Sequence, residues 1–379
     1  MKHLSLLNSI ALLIAITGIN GQIKDANFDD LEPKLIEWRH HLHQNPELSN
    51  REFKTAEYIS SYLKSLGIEV LTGVAHTGVV GIIKGNHPGK VVALRADMDA
   101  LPVTERNNLP FKSEVVSTFN GKKTGVMHAC GHDAHVSILM GVAKVLTQNK
   151  DFAGTVKLIF QPAEEGPPPG EEGGARLMVK EGVLENPKVD AIFGLHIRSG
   201  SHVGKITYKP GGMLASSQRF VINVKGKQAH GSTPWQSIDP IVVSAQIING
   251  LQTLISRESE LTKEGAVITI GSIHSGIRFN IIPEHLEMVG TIRTLDKEMK
   301  ELLRKRMNEM VPSIAKAYRA EATLDIQDGA DVTFNHLALT KQMLPTLERA
   351  AGKANVNLMD ALTLAEDFSY FQNEIPGFF

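Results

Sequence analysis

Apolar positions along the chain alternate between helical and strand-like spacing. Phe28–Asn45 places Leu31, Leu35 and Trp38 on one stripe, which predicts a helix ended by Pro46. Arg51–Leu66 predicts a second, with Phe53, Ala56, Ile59, Tyr62, Leu63 and Leu66 apolar and Gly67 as the stop. Val79–Lys84 and Val91–Arg95 are short β-branched runs around Gly-Asn-His-Pro-Gly and read as a hairpin-like pair of strands. Val136–Leu146 is an amphipathic helix, Gly154–Gln161 an apolar strand, Ala175–Glu181 a helix and Ala191–His196 another apolar strand. This alternation predicts an α/β core with a mixed, largely parallel sheet.

Near Lys209-Pro210-Gly211-Gly212 the texture changes. Arg219–Lys225 alternates like a half-buried strand, Asp239–Ser256 is a long helix, Ala266–Ser275 and His285–Thr294 are strands, and Lys297–Tyr318 is a charged helix. That order predicts a compact α+β, ferredoxin-like sandwich over 211–318, inserted between a first part at 28–210 and a second at 319–379. Glu321–Gln327 reads as a strand returning to the first domain, and Leu337–Ala351 as a helix.

With 379 residues the chain can build two domains and a large core. Charge is balanced, 40 Lys+Arg against 41 Asp+Glu, and no basic run suggests nucleic acid. The single cysteine excludes an internal disulfide. Met1–Gln22 has the form of a secretory signal: Lys2 and His3 precede an apolar run, Leu4–Ile19, and Thr17, Gly18 and Gly21 offer small residues for cleavage. The expectation is an exported protein, periplasmic or secreted, with no stable membrane association after cleavage.

Candidate chemistry concentrates at Met127–His135, where Cys130 stands among His128, His132, Asp133 and His135. Thiolate and neutral imidazole both suit zinc and its neighbours. In a continuous helix Cys130 and His132 would point about 200° apart. They can reach one ion only from a loop or a helix entrance, and Gly131 permits that. A buried structural cysteine is the plainer alternative. Asp97, Glu164, Glu165 and His196 fall at the ends of predicted strands, where open α/β sheets collect their sites. In a turn, Glu165 or Glu164 can bind a metal while the other moves a proton, the division of labour that hydrolysis needs. His230 could donate to a developing oxyanion, and Asn280 and Arg293 suit a substrate carboxylate.

Several stretches together resemble one family: His128-Ala-Cys-Gly-His-Asp-Ala-His135, Arg95-Ala-Asp-Met-Asp-Ala-Leu-Pro102, Gln161-Pro-Ala-Glu-Glu-Gly166, Gly194-Leu-His196, the His230 loop and Ala365-Glu-Asp-Phe-Ser369. They resemble the aminoacylase-like metal-dependent amidohydrolases, the group of hippurate hydrolases, N-acyl-amino-acid deacylases and indoleacetyl-amino-acid hydrolases, related to dizinc carboxypeptidases. The resemblance implies a zinc-exopeptidase-like catalytic domain with an inserted lid that dimerises, and two divalent ions (zinc, or manganese, nickel or cobalt). It implies Cys130, His132, Glu165 and His196 as ligands and Glu164 as general base, with His230, Asn280 and Arg293 touching the transition state or substrate. The implied reaction is hydrolysis of an N-acyl amino acid; a di- or aminopeptidase, or an inactive binding protein on the same scaffold, are the alternatives. The resemblance also implies a further ligand histidine beyond Ile375-Pro-Gly-Phe-Phe379, where the chain reads as a strand cut in mid-course. The expectation is therefore a second metal position short of one ligand, and an open sheet edge or apolar face near Ile375–Phe379.

Overall fold

The computed structural model describes residues 30–379. The signal-like segment Met1–Gln22 lies outside them. Five strands supply most of the larger sheet: β1 (Glu69–Val74), β2 (Gly78–Lys84), β3 (His87–Asp97), β4 (Ala153–Gln161) and β5 (Ala191–Phe193), with Gly377–Phe378 at the far edge. Their order is β1-β2-β4-β3-β5 and then the edge strand. β4, β3, β5 and the edge strand run parallel, while β1 and β2 are antiparallel additions. The sheet is thus mixed and largely parallel.

Helices α1 (Glu32–Gln44), α2 (Phe53–Ser65) and α3 (His132–Gln148) cover one face. Trp38, Ile59, Leu63, Val136 and Met140 meet Val79, Leu158 and Phe160 there. Helix α4 (Gly174–Lys180) and residues 368–375 cover the other, against Val80, Ala93, Ile159 and Ile192. The period-2 alternation of β4 sends Leu158 and Phe160 to one layer and Ile159 to the other.

β2 and β3 are not a hairpin: β4 lies between them and bonds to both. The connection Gly85–Asn86 crosses over the start of β4, with Gly85 N–H on Gly154 O and Asn86 N–H on Lys150 O. Gly154 makes the crossing possible. Its φ is +96°, and a Cβ there would stand 2.1 Å from Lys90 O.

The smaller sheet contains β6 (Gln218–Lys225), β7 (Ala266–Ser275), β8 (His285–Thr294) and β9 (Glu321–Asp328), in the order β7-β8-β6-β9 with every pair antiparallel. With α5 (Pro240–Thr253) and α6 (Lys297–Ala317) on one face, this is the expected ferredoxin-like arrangement. Glu321–Asp328 does not return to the first domain. It pairs with β6 over its whole length, and Ala322, Leu324 and Ile326 alternate onto the α6 side. The chain instead leaves and re-enters the larger domain through Gly211–Leu214 and Thr333–Asn335, which pair antiparallel.

The apolar face expected to be open near Ile375–Phe379 is closed. Phe378 and Phe379 are buried, and Phe379 packs on Phe368 at 5.0 Å between ring centroids. Asn335 bonds the amide and carbonyl of Phe379, and His336 N–H donates to Gly377 O, so the outer edge of that strand is also bonded.

Candidate metal centre

Because β3, β4 and β5 are parallel, their carboxyl ends share one edge of the sheet. Asp97 is the last residue of β3; Glu164 and His196 each follow their strand by three residues. Helix α3 starts beside them at His132, with Gly131 just before it at φ +90°. A Cβ on Gly131 would lie 2.6 Å from Ile197 Cγ1, so glycine lets the His196–Ile197 loop close over the helix start. Cys130 stands outside the helix and His132 inside it, which is how residues two apart converge.

Cys130, His132 and Glu165 each offer a donor atom within 4.8 Å of the others. Cys130 Sγ is 3.9 Å from His196 Nε2. His132 Nδ1 bonds Asp99 O at 2.8 Å and Asp99 Oδ1 at 3.2 Å. Its Nε2 is buried without a hydrogen-bond partner, 3.7 Å from Asp97 Oδ2 and 3.8 Å from Glu164 Oε2. An orphaned imidazole nitrogen facing carboxylates beyond bonding range, beside a thiol and a third carboxylate, fits a cation held among them. The electrostatics agree. Burial opposes charge on His132, yet Asp97 and Asp99 outweigh it and raise His132 well above its ordinary value. The field that favours a proton there favours a metal ion.

The vicinal glutamates diverge. Glu165 turns to Cys130 and His132, while Glu164 joins Asp97 and Glu366. Burial, then the charges of Glu366, Asp367 and Asp97, raise Glu164 well above the carboxylate range. Burial also raises Glu165, with Asp99 adding to it, and raises the Cys130 thiol. Desolvation and the neighbouring His135 lower His196 to about 4, which keeps its imidazole neutral and ready to ligate.

Two buried carboxylates hold the turn that carries this pair. Glu52 Oε1 accepts from Ala163 N–H at 2.9 Å, and Asp99 accepts from the N–H groups of Glu164 and Glu165, both at 3.1 Å. Three successive amides are fixed, and Ala163 is kept at φ +52°. Deeper still, Arg95 reaches Asp97 at 2.7 Å, Gln161 at 2.7 Å, Glu366 at 2.9 Å and Asp367 at 3.0 Å. Sequence reasoning assigned no role to Glu52, Arg95, His135 or Glu366. One signal was present: Arg95 and Asp97 stand two apart at the end of a predicted strand, which puts both charges on one side of it, and Asp99 follows two residues on.

His128, grouped by sequence with the possible ligands, is buried with both ring nitrogens unpartnered and lies outside the donor groups. Glu171, in the loop after Glu165, bonds Asn50 and Arg51. His230 and Asn280 come together on the smaller domain: Ala229–His230 pairs with Ile281–Ile282, and Gly231 N–H donates to Asn280 O at 2.9 Å. Arg293 is half-buried on β8, opposite Val267. Among the described residues, no hydrogen bond or ion pair links these three to the Cys130 cluster.

The parallel-sheet edge, the thiol–imidazole–carboxylate donors and the raised glutamate beside them define a metal-dependent hydrolase. The chain belongs to peptidase family M20/M25/M40, whose profile matches residues 93–379. It is similar to thermostable carboxypeptidase 2 of Saccharolobus solfataricus, 42% identical over 353 residues, 92% of this chain and 86% of the relative. N-acetyl-L-cysteine deacetylase of Bacillus subtilis is 37% identical over 93% of this chain and 81% of its own. A solved dinuclear metal binding peptidase of family M20 from Bacillus subtilis superposes at TM-score 0.77, with 37% identity, over 93% of this chain and 88% of that one. The protein is a metallo-amidohydrolase.

Proposed function

We propose that the enzyme hydrolyses the amide bond of N-acyl amino acids, releasing a carboxylate and a free amino acid. The observation that carries this reading is Glu164 Oε2 poised 3.8 Å from the orphaned His132 Nε2, beside the Cys130–His132–Glu165 cluster. In it, Cys130, His132, Glu165 and His196 hold two divalent ions, zinc or a neighbour such as manganese. When bound, such ions polarise the scissile carbonyl and lower the pKa of water. Glu164 takes the proton from the attacking water as its oxygen bonds the carbonyl carbon, then delivers it to the nitrogen as the C–N bond breaks. His230 donates to the developing oxyanion, and Asn280 and Arg293 receive the carboxylate of the amino acid. The unpartnered Asn280 Oδ1 and the absence of an ion pair on Arg293 among the described residues support a role toward a ligand.

The similarity to a carboxypeptidase favours a second reading in which the acyl group is itself a peptide. Both reactions release an amino acid with a free carboxylate and differ only in what precedes the amide. We also propose export directed by Met1–Gln22 and pairing with a second copy through the smaller domain. The strongly exposed Trp235, Ile277 and Phe279 near His230 and Asn280 support that pairing.

The test supplies the metal-loaded protein with N-acetyl and N-benzoyl amino acids beside dipeptides and longer peptides. The expected result is faster turnover of the N-acyl amino acids, lost on chelation and restored by metal. Preference for peptides would replace this reading with the peptidase. A protein that binds no metal and turns over nothing would be a binding protein.

A further inference from the structure

The loop that carries His196 is thinly held. β5 ends at Phe193, and Gly194 N–H still reaches Phe378 O across the sheet at 3.1 Å. From Leu195 to Gly200 the only backbone hydrogen bond to another part of the described molecule is Ile197 N–H on His135 Nε2, at 2.9 Å. Leu195 is 42% and Ile197 38% exposed, and Ile197 is seated on Gly131.

His135 is itself tightly held. It lies three residues into α3 from His132, is buried, and its Nδ1 is 2.5 Å from Asp97 Oδ1. The other oxygen of Asp97 is fixed by Arg95 at 2.7 Å. A backbone N–H can only donate, so His135 Nε2 must accept and the ring proton must sit on Nδ1, donated to Asp97. Distance alone groups Asp97, His132 and His135 as a possible metal triad. The bonding excludes His135 from it, because both of its ring nitrogens are spent.

We propose that Asp97 and His135 form a positioning pair that fixes the His196 ligand through the amide of Ile197, and that His135 does not itself bind metal. This rests on the reading of His196 as a ligand. The chain of contacts runs Arg95, Asp97, His135, Ile197, His196, from a fully buried guanidinium to an exposed loop. It transfers the rigidity of β3 to a donor that its own strand leaves three residues behind. Groups that orient a ligand from outside the coordination sphere are worth about 10–100-fold in metal affinity.

Two conservative replacements separate the bonds. In His135→Asn the amide nitrogen can overlay Nδ1 and keep Asp97, but nothing reaches Ile197. In His135→Gln the longer amide oxygen can accept from Ile197. Zn²⁺ affinity is measured by chelator competition for both, for His196→Ala, and for the double variant His135→Asn with His196→Ala. Amide exchange over residues 195–198 is followed in the metal-free proteins. The expected result is that His135→Asn weakens the same binding step as His196→Ala, by about 10–100-fold, and speeds exchange at Ile197. His135→Gln should recover most of both, and the double variant should bind no worse than His196→Ala alone, the signature of one residue acting through the other. A further loss in the double variant would show His135 to be a ligand and overturn the proposal. So would unchanged affinity and exchange in His135→Asn while His196→Ala is weakened, which leaves His196 a ligand. If His196→Ala keeps full affinity, the ligand reading fails and the positioning proposal falls with it.

Discussion

The two regions that carry the proposed chemistry are built on opposite plans. At the edge of the larger sheet the groups beneath the metal donors, Glu52, Arg95, Asp97 and Asp99, are buried and already bonded. Asp99 alone takes Ser49, His132 and two backbone amides. Arg95 stays charged because Asp97, Glu366 and Asp367 outweigh the burial that opposes it. Around His230 the reverse holds: the ring is exposed and spends Nδ1 on its own loop, at Ser232 Oγ, while Asn280 Oδ1 has no partner. The first plan fixes a constellation before any ligand arrives, which is what electrostatic stabilisation of charge requires. The second leaves donors unspent, so that a substrate can complete them. Substitutions should therefore act differently in the two places.

The largest effect is expected at Glu164. Glu164→Gln keeps the shape and removes the base, so the rate should fall by about 10²–10⁴-fold. The Cys130–His132–Glu165 donors are untouched, and metal content should stay at the wild-type value. Parallel metal analysis and turnover of an N-acyl amino acid check this. A fully active, metal-replete variant would remove Glu164 from the mechanism.

His230→Ala should cost less, about 10²–10³-fold in kcat, the scale for loss of one donor to an oxyanion. KM, metal content and thermal stability should barely move, because the side chain is exposed and bonds only Ser232 of its own loop. Lost metal would instead place His230 among the ligands and blur the contrast between the regions. Unchanged kcat would leave the smaller domain without a chemical role.

Local patterns made much of this legible. Ala266–Ser275, His285–Thr294 and Leu337–Ala351 have the boundaries their periodicity predicts. What local patterns do not contain is the partner of a strand. Val79–Lys84 and Val91–Arg95 carry a turn between them, yet a strand more than 50 residues on separates them. Glu321–Asp328 alternates as any half-buried edge strand does, and only the long-range pairing with β6 assigns it to the smaller sheet. The site divides in the same way. Cys130, His132 and His135 were visible as ligand types crowded into one short stretch, and Glu164 and Glu165 as carboxylates at a strand end. Glu52 and Arg95 were not, since a charged residue in a sequence reads the same whether it will be solvated or buried, and His135 showed nothing of what it bonds. Their roles exist only through partners distant in the chain, as with Ala163 and Ile197.

Glu52 gives the finest test of the buried plan. Its carboxyl is fully buried and bonds Ala163 N–H and Thr77 Oγ1. Burial, with the charge of Asp99 adding to it, pushes Glu52 up to about 8 from an ordinary 4.5. The folded state therefore binds this proton more tightly than the unfolded chain does. Its contribution to stability is complete below about 4.5 and is lost progressively as pH rises toward 8. Glu52→Gln keeps an oxygen for Ala163 N–H and carries no charge at any pH, so it escapes that loss. The variant should gain on the wild type between pH 5 and pH 8, read as a rising difference in urea midpoint at constant slope. Its kcat should stay near the wild-type value, because the turn bearing Glu164 and Glu165 remains fixed. A difference in midpoint that does not change with pH would mean that Glu52 is ionised in the folded protein, and that the carboxylates beneath the metal centre tolerate one more buried charge than this account allows.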